Sequence, residues 1–432
     1  MLLNFEISNW ACFHRPTAFT MEAGGERDTE GRVAKIGAKS RPLKVLPLAA
    51  IYGNNASGKT QFISALAFLR DLVLEEFKTG RLPLFPFLLD AEAVKSPTRF
   101  MIQFVVSETV YELEVLLTST EILRETLSRY NTRATAKTPI YVREGQTVTK
   151  CTWGGDAFCQ YAATLTVDKT RLFLTLSAVL SSGKDPLIAS VYGWFARSLV
   201  VITPDAHYID VEEYCAEGAV AKKTQDYLLH FDTGISRLES PIVPLTTFRP
   251  DFVEDVRKTL KPGNCQRRMV GKDVFVFSFD ENGELVAKRL SAMHGTTAGG
   301  EMPFPMAFES DGTRRMLDFI PAVARLSESN QEVVFIVDEI DRNLHHLVTR
   351  TLIKDFLEKC GAATRAQLIF TTHDLLLMDQ NLCRRDEMWV TDKAPDGRST
   401  LIDFSSYKGL RKDTKIRDVY LDGRLGGVPR HI

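Results

Sequence analysis

Three features of the sequence predict a mixed α/β fold, with a largely parallel central sheet, an antiparallel β-subdomain and a helical insertion. Short apolar runs at Leu46–Tyr52, Val333–Val337 and Leu368–Phe370 have the character of strands buried on both faces. Two β-rich runs, Thr98–Val106 and Val110–Leu117, are separated only by Ser107-Glu108-Thr109, as in a hairpin. Apolar residues at helical spacing, such as Phe62, Leu66, Leu69 and Val73, mark helices between strands.

Composition bounds the class. At 432 residues the chain is long enough for two or more lobes, each with its own core. The net charge of −1 gives no global electrostatic case for nucleic acid or membrane. Seven cysteines without a C-x-x-C pair argue against a zinc ribbon or a disulfide framework. No apolar stretch approaches the length of a membrane span, and the start MLLNFEISNWACF lacks the pattern of a signal peptide. A cytoplasmic protein with no membrane contact is the expectation.

Taken in order, Leu2–Phe13 reads as a strand with Leu3, Phe5, Ile7 and Trp10 inward, and Pro16–Met21 as a second extended segment. Glu22–Arg41, rich in Gly and charged residues, reads as an excursion between strands. A strand, a glycine loop and a helix to about Phe77 follow. The β-subdomain continues through Thr138–Glu144 and Gln146–Thr152, with Arg124, Arg129, Arg133 and Lys137 on a solvated face. These elements make a first lobe of residues 1–171. Residues 172–272 read as a mainly helical insertion, from Ile188–Val200 and Asp251–Leu260, without sustained heptads. Arg257–Lys272 holds six basic residues and no acid, the one local candidate for a nucleic-acid contact. In 273–432 a strand at Val274 and its partner Leu285–Leu290 flank the turn Glu281-Asn282-Gly283, and His294–Phe304 reads as a loop.

The residues with chemistry lie at the ends of the apolar strands. Gly53-Asn54-Asn55-Ala56-Ser57-Gly58-Lys59-Thr60 fits G-x-x-x-x-G-K-[ST] without mismatch, between a strand and a helix. There the loop N–H groups and the helix dipole favour a polyphosphate. Lys59 reaches the β- and γ-phosphates, and Thr60 offers a hydroxyl to Mg²⁺. Asp338 and Glu339 end the strand Val333–Val337, at the edge where parallel sheets place ligands. Asp338 suits a role at Mg²⁺, and Glu339 suits deprotonation of an attacking water. In QLIFTTHD, His373 is placed to bond the γ-phosphate. Ser310 and Gly312, in FESDGTRR, stand at a helix N-terminus with amides for an anion.

The set GNNASGKT, SDG before a helix, VVFIVDE, a following Asp341 and LIFTTH resembles the ABC-type ATPase heads of the SMC and OLD-like class. In that class Walker A, signature, Walker B, D-loop and H-loop occur in this order. FESDGTRR, DEIDRNLHHLVTR, TTHDLLLMD and VYLDGRLGGVP are similar to stand-alone bacterial ATPases of phage-defence and abortive-infection operons, including the ATPase subunits of PARIS, Septu and RloB-linked systems. The chain departs from the class pattern at the signature: Glu309 stands at the usual leucine position and Asp311 at the second glycine. Gln103 is the one candidate for a Q-loop glutamine. About sixty residues follow His373, too few for the Toprim nuclease domain of full-length OLD proteins.

The resemblance implies an ABC-ATPase head that binds ATP and Mg²⁺ and forms a homo-oligomer, either a dimer or a ring of dimers. ATP would be sandwiched between Lys59, Asp338 and Glu339 of one copy and Ser310, Gly312 and Asp341 at the same interface. It further implies a separate effector protein, such as a nuclease, and a phage-encoded trigger. The alternative within the class is a DNA-repair or chromosome ATPase that clamps duplex DNA through 257–272.

Overall fold

Parallel strands with apolar residues on both faces form the centre of the molecule's first unit. The computed structural model describes residues 1–432 except 27–30, 38–41, 76, 78–79, 131–136, 182–184, 205–218, 232, 262–264, 327–331, 408–414 and 429–432. Two compact units account for the chain. The first comprises Met1–Pro204, Ser329–Asp341 and Ile353–Ile432, and the second Asp205–Glu328 and Arg342–Leu352.

In the first unit a six-stranded sheet runs in the order Leu199–Ile202, Val334–Val337, Gln367–Thr371, Leu48–Gly53, Met388–Lys393, Ser399–Asp403. The first five strands are parallel and the last is antiparallel. Every residue of Leu48–Gly53, Val334–Val337 and Gln367–Thr371 is buried, which is why these segments read as continuous apolar runs. The helix Lys59–Leu74 leaves the glycine loop and buries Phe62, Leu66, Leu69 and Val73, as their spacing predicts.

A seven-stranded antiparallel sheet lies in the same unit, ordered Thr147–Cys151, Lys137–Glu144, Ile122–Tyr130, Thr109–Leu117, Thr98–Val106, Leu2–Ser8, Thr17–Thr20. An aromatic cluster joins the layers. The Phe62 ring lies 5.7 Å from Phe5 and 5.3 Å from Phe19, and Phe19 lies 4.9 Å from Trp389. The buried amide of Gln367 stitches the two sheets together. Its Oε1 accepts from Leu2 N at 2.6 Å, and its Nε2 donates to Leu2 O at 3.0 Å and Leu46 O at 3.1 Å.

Ile122–Tyr130 is a strand the sequence hid. Its polar residues Glu125, Thr126 and Ser128 are buried, so no hydrophobic alternation marks it. Arg124 and Arg129 on it are exposed, and the exposed Lys137 pairs with Glu112; Arg133 lies outside the described residues. Within the excursion Glu22–Arg41, Ala34–Ile36 is a short strand paired with Leu43–Val45, and Arg32, Val33, Ala34 and Ile36 are buried.

The second unit departs most from expectation. It holds a three-stranded sheet, Ile235–Glu239, Ser291–Gly295, Glu301–Pro305, and a four-stranded one, Ile242–Val243, Leu285–Arg289, Asp273–Phe279, Gln266–Val270. Helical residues outnumber strand residues in 172–272, but the span also carries the strands Leu199–Ile202, Ile235–Glu239, Ile242–Val243 and Gln266–Val270, and the loop expected at His294–Phe304 is most of a hairpin. Glycines 295, 299 and 300 sit at its turn, and two prolines lie on its edge strand, a composition that conceals a strand. The helix Pro250–Thr259 covers the larger sheet, with Phe248 and Val256 packed on Phe275 and Phe277. The compact units also divide the chain elsewhere than at 171 and 272. Residues 172–204 belong to the first unit, because Leu199–Ile202 adds a parallel strand beside Val334–Val337, and 273–328 belong to the second.

Among the described residues the longest helices have 16 residues, so none makes a coiled-coil arm. No described helix is long and apolar enough to cross a membrane.

Candidate functional site

The C-terminal ends of three adjacent parallel strands bring the first unit's chemical residues together. Leu48–Gly53 delivers the glycine loop, Val334–Val337 delivers Asp338 and Glu339, and Gln367–Thr371, between them, delivers Thr372 and His373. The loop needs both glycines. At Gly53 (φ +150°) a Cβ would stand 2.2 Å from Thr391 Oγ1 and 2.7 Å from Ser57 Oγ. At Gly58 (φ +116°) it would meet Cys12 Sγ at 2.8 Å. Ala56 is also left-handed, so the backbone of Asn54, Asn55 and Ala56 curls into the concave form that suits an anion. Asn55 N donates to Asn54 Oδ1 at 2.7 Å, and Ser57 N donates to Asn54 O at 3.2 Å.

Lys59 lies folded back into the loop. Its Nζ donates to Gly53 O at 2.7 Å and Asn54 O at 3.1 Å, and the side chain is buried. Burial lowers its pKa to about 8, against the raising influence of Asp338, Glu339 and Asp341. Thr60 follows at the exposed first turn of the helix.

Asp338 is 1% exposed, and its two oxygens differ. Oδ1 accepts from Thr371 Oγ1 at 2.5 Å, while Oδ2 is buried without a hydrogen-bond partner among the described residues. A buried carboxylate oxygen left in that state fits a cation. A single carboxylate beside a hydroxyl also suits Mg²⁺, which takes most of its ligands from water and substrate phosphates. No group of three or more His, Cys, Asp or Glu that could hold a metal occurs among the described residues. Glu339 has a left-handed backbone (φ 52°), and its N–H donates to Thr371 Oγ1 at 2.8 Å. Strain of this kind in a non-glycine residue costs about 1–3 kcal/mol and concentrates at functional sites.

His373 N donates to Asp341 Oδ2 at 3.3 Å. Its imidazole pKa is lowered by partial desolvation and then by the Lys59 charge, against Asp341, Glu339 and Asp338. The shift favours the neutral ring, in which one nitrogen donates and the other accepts.

In the second unit, Ser310 caps the helix Asp311–Leu326. Its Oγ accepts from Thr313 N at 3.0 Å and lies 2.9 Å from Thr313 Oγ1. Gly312, in the first turn, stands so close to the carbonyl oxygen of Asn343 that a Cβ would approach it to 2.7 Å.

Two site residues escaped the sequence reading. Thr371 links Asp338 to Glu339, and Thr391 holds the glycine loop through Ser57 (Oγ to Oγ1, 2.6 Å) and Tyr52 O (3.2 Å). Each is a threonine in the last part of a buried strand, a signal too common to single out. Gln103 is not a site residue. It is engaged within the antiparallel sheet, accepting from Asn4 at 2.6 Å and donating to Glu112 at 2.7 Å and Tyr130 at 3.0 Å. In the basic stretch, Lys258 pairs with Glu254 at 3.6 Å and Arg268 with Asp255 at 3.5 Å.

The model of one protein family, described as "AAA domain, putative AbiEii toxin, Type IV TA system", matches residues 48–145 and 191–379, about two thirds of the chain. The chain belongs to this AAA family. The matched residues of this AAA protein include the glycine loop, Ser310, Asp338, Glu339, Asp341 and His373. A search of curated proteins gave no significant match. Among solved structures, the chain is similar to the SMC head domain from Thermotoga maritima. The identity is 12% and the TM-score 0.36, over 93% of this chain and 98% of that one.

Proposed function

We propose that this AAA protein is an ATP-binding and ATP-hydrolysing switch. It works as paired copies in the bacterial cytoplasm and controls a separate toxic effector, such as a nuclease, in an antiviral defence system. The observation that carries the reading is the convergence of Lys59, Asp338, Glu339, Asp341 and His373 at one edge of the parallel sheet.

On this reading, the triphosphate lies on the loop Gly53–Thr60, and Lys59 exchanges its bonds to Gly53 O and Asn54 O for phosphate oxygens. Thr60 and Asp338 would hold Mg²⁺, which when bound offsets the charge of the phosphates. Glu339 takes a proton from the attacking water as its oxygen bonds to the γ-phosphorus. The bond to the β-phosphate oxygen breaks, leaving ADP and phosphate. His373 contacts the γ-phosphate. Ser310 and Gly312 of a second copy close over the nucleotide beside Asp341, so ATP is part of the interface and hydrolysis weakens it. The defence setting draws support from the family's toxin–antitoxin description and from the resemblance to phage-defence ATPases. A phage-encoded protein is the trigger in this scheme.

Glu339→Gln tests the switch. It should retain ATP binding, lose hydrolysis by roughly 100-fold or more, and accumulate as an ATP-dependent pair in light scattering. Unimpaired turnover would remove Glu339 as the base. Copurification with the product of a neighbouring gene, whose toxicity changes with Glu339→Gln, tests effector control. Salt-sensitive binding to duplex DNA that strengthens with ATP would instead favour a chromosome or repair ATPase acting through the exposed Arg257, Lys261 and Lys272.

A further inference from the structure

Glu309 stands directly before Ser310, and it is an acid where the resembled signatures carry leucine. Its side chain is 7% exposed, a costly place for a carboxylate without a partner. The partner is His294, whose Nε2 lies 2.6 Å from Glu309 Oε1. His294 belongs to the central strand of the three-stranded sheet, Ser291–Gly295, and is held on both sides by the backbones of Ile235–Glu239 and Glu301–Pro305. Phe304 packs on its ring at a centroid distance of 4.8 Å. At Gly234 a Cβ would stand 3.5 Å from Nδ1, so the backbone closes in on the other ring nitrogen.

The main chain of Glu309 is pinned as well. Arg314 Nη1 donates to Glu309 O at 2.9 Å and to Met306 O at 3.2 Å, and Arg314 pairs with Asp311. A leucine at this position would be retained by burial, which has no preferred direction. A hydrogen-bonded His–Glu pair is directional. It fixes the Glu309 side chain and, through it, the peptide that leads into Ser310.

We propose that His294 and Glu309 are positioning residues: their bond sets Ser310 and the first turn of the helix Asp311–Leu326 for the nucleotide of a second copy of this chain. The inference rests on the paired-copy reading above. Removing one partner leaves the other buried and unmatched, and the loop relieves this by moving, which misplaces Ser310.

Mixed assemblies of the full chain supply the test, read as ATP turnover. Lys59→Ala lacks a nucleotide site but keeps its Ser310, and Ser310→Ala has the reverse defect. Mixed in equal amounts, the two should recover roughly a quarter of the wild-type sites, from random pairing about a two-fold axis. His294→Ala should lose roughly 10- to 100-fold in kcat, with the ATP affinity of the unpaired copy unchanged. It should recover with Lys59→Ala and fail to recover with Ser310→Ala. His294→Gln, which can still donate to Glu309, should restore much of kcat and covers the case in which the alanine variant does not fold. Wild-type kcat in His294→Ala, or in Glu309→Ala, overturns the assignment while leaving paired copies intact. So does a His294→Gln variant that folds and is as impaired as His294→Ala. Failure of Ser310→Ala and Lys59→Ala to complement each other overturns the paired-copy reading, and the positioning role goes with it.

Discussion

The hydroxyl of Thr371 donates to Asp338 Oδ1 at 2.5 Å and accepts from the Glu339 N–H at 2.8 Å. One side chain on the strand between the glycine-loop strand and the Asp338 strand thus fixes the Asp338 carboxylate and the Glu339 main chain. The first bond leaves Asp338 Oδ2 as the oxygen without a hydrogen-bond partner among the described residues, and the second helps to hold Glu339 in its left-handed backbone. Thr371→Val keeps the shape and removes both hydrogen bonds. Groups that orient metal-binding carboxylates are worth about 10- to 100-fold in metal affinity or activity. The expected result is a loss of that size in Mg²⁺-dependent turnover, with Mg²⁺-free ATP affinity within about twofold. Equal losses in both measurements would mean that Thr371 serves the fold rather than the site.

A second prediction follows from Lys59. Burial sets its pKa at about 8, so near pH 8 the free protein carries the ammonium in roughly half of its molecules. Bound phosphates favour the charged form and raise that pKa, so binding takes up protons. Titration calorimetry in buffers of different ionisation enthalpy should show uptake of about half a proton near pH 8. ATP affinity should hold below that pH and fall above it, approaching about tenfold per pH unit. Lys59→Arg, which stays charged, should flatten the profile whatever its absolute affinity. Proton release, or an affinity unchanged between pH 7 and 9.5, would contradict the folded-back lysine.

What the sequence revealed and what it hid divide along physical lines. The grouping of the glycine loop, Asp338 and Glu339, and His373 at candidate strand ends was legible because apolar strands end abruptly in polar residues, and the loop's φ values demand glycine. Thr371 and Thr391 were not, since their partners lie 33 and 334 residues away and appear only once the strands are side by side. The second unit's sheets were obscured by prolines 303 and 305 and by short, polar strands such as Ile235–Glu239. Ile122–Tyr130 was obscured for the opposite reason, because its inward face carries an acid.

That acid, Glu125, gives the third prediction. It is fully buried and accepts four hydrogen bonds: from Tyr141 OH at 2.6 Å, Phe173 N at 2.7 Å, Leu174 N at 3.0 Å and Arg143 Nη1 at 3.4 Å. Two of those donors are the first amides of the helix Phe173–Leu180, which has no side-chain cap of its own. The carboxylate therefore does a cap's work from across the fold, and the charge of Arg143 balances it. Glu125→Ala strands two helix amides and leaves buried Arg143, which still donates to the carbonyls of Gly145, Asp168 and Arg171, without its counter-charge, and should cost about 3–5 kcal/mol in urea unfolding. Glu125→Gln keeps an acceptor for the amides but loses the charge, and should cost less. Both variants should retain ATP affinity in the folded fraction, because the network serves the antiparallel sheet and not the glycine loop. A loss below about 1 kcal/mol in Glu125→Ala, the size of an ordinary substitution, would show that Tyr141 and the two amides find other partners and that Arg143 needs no counter-charge. The helix Phe173–Leu180 would then hold without that carboxylate.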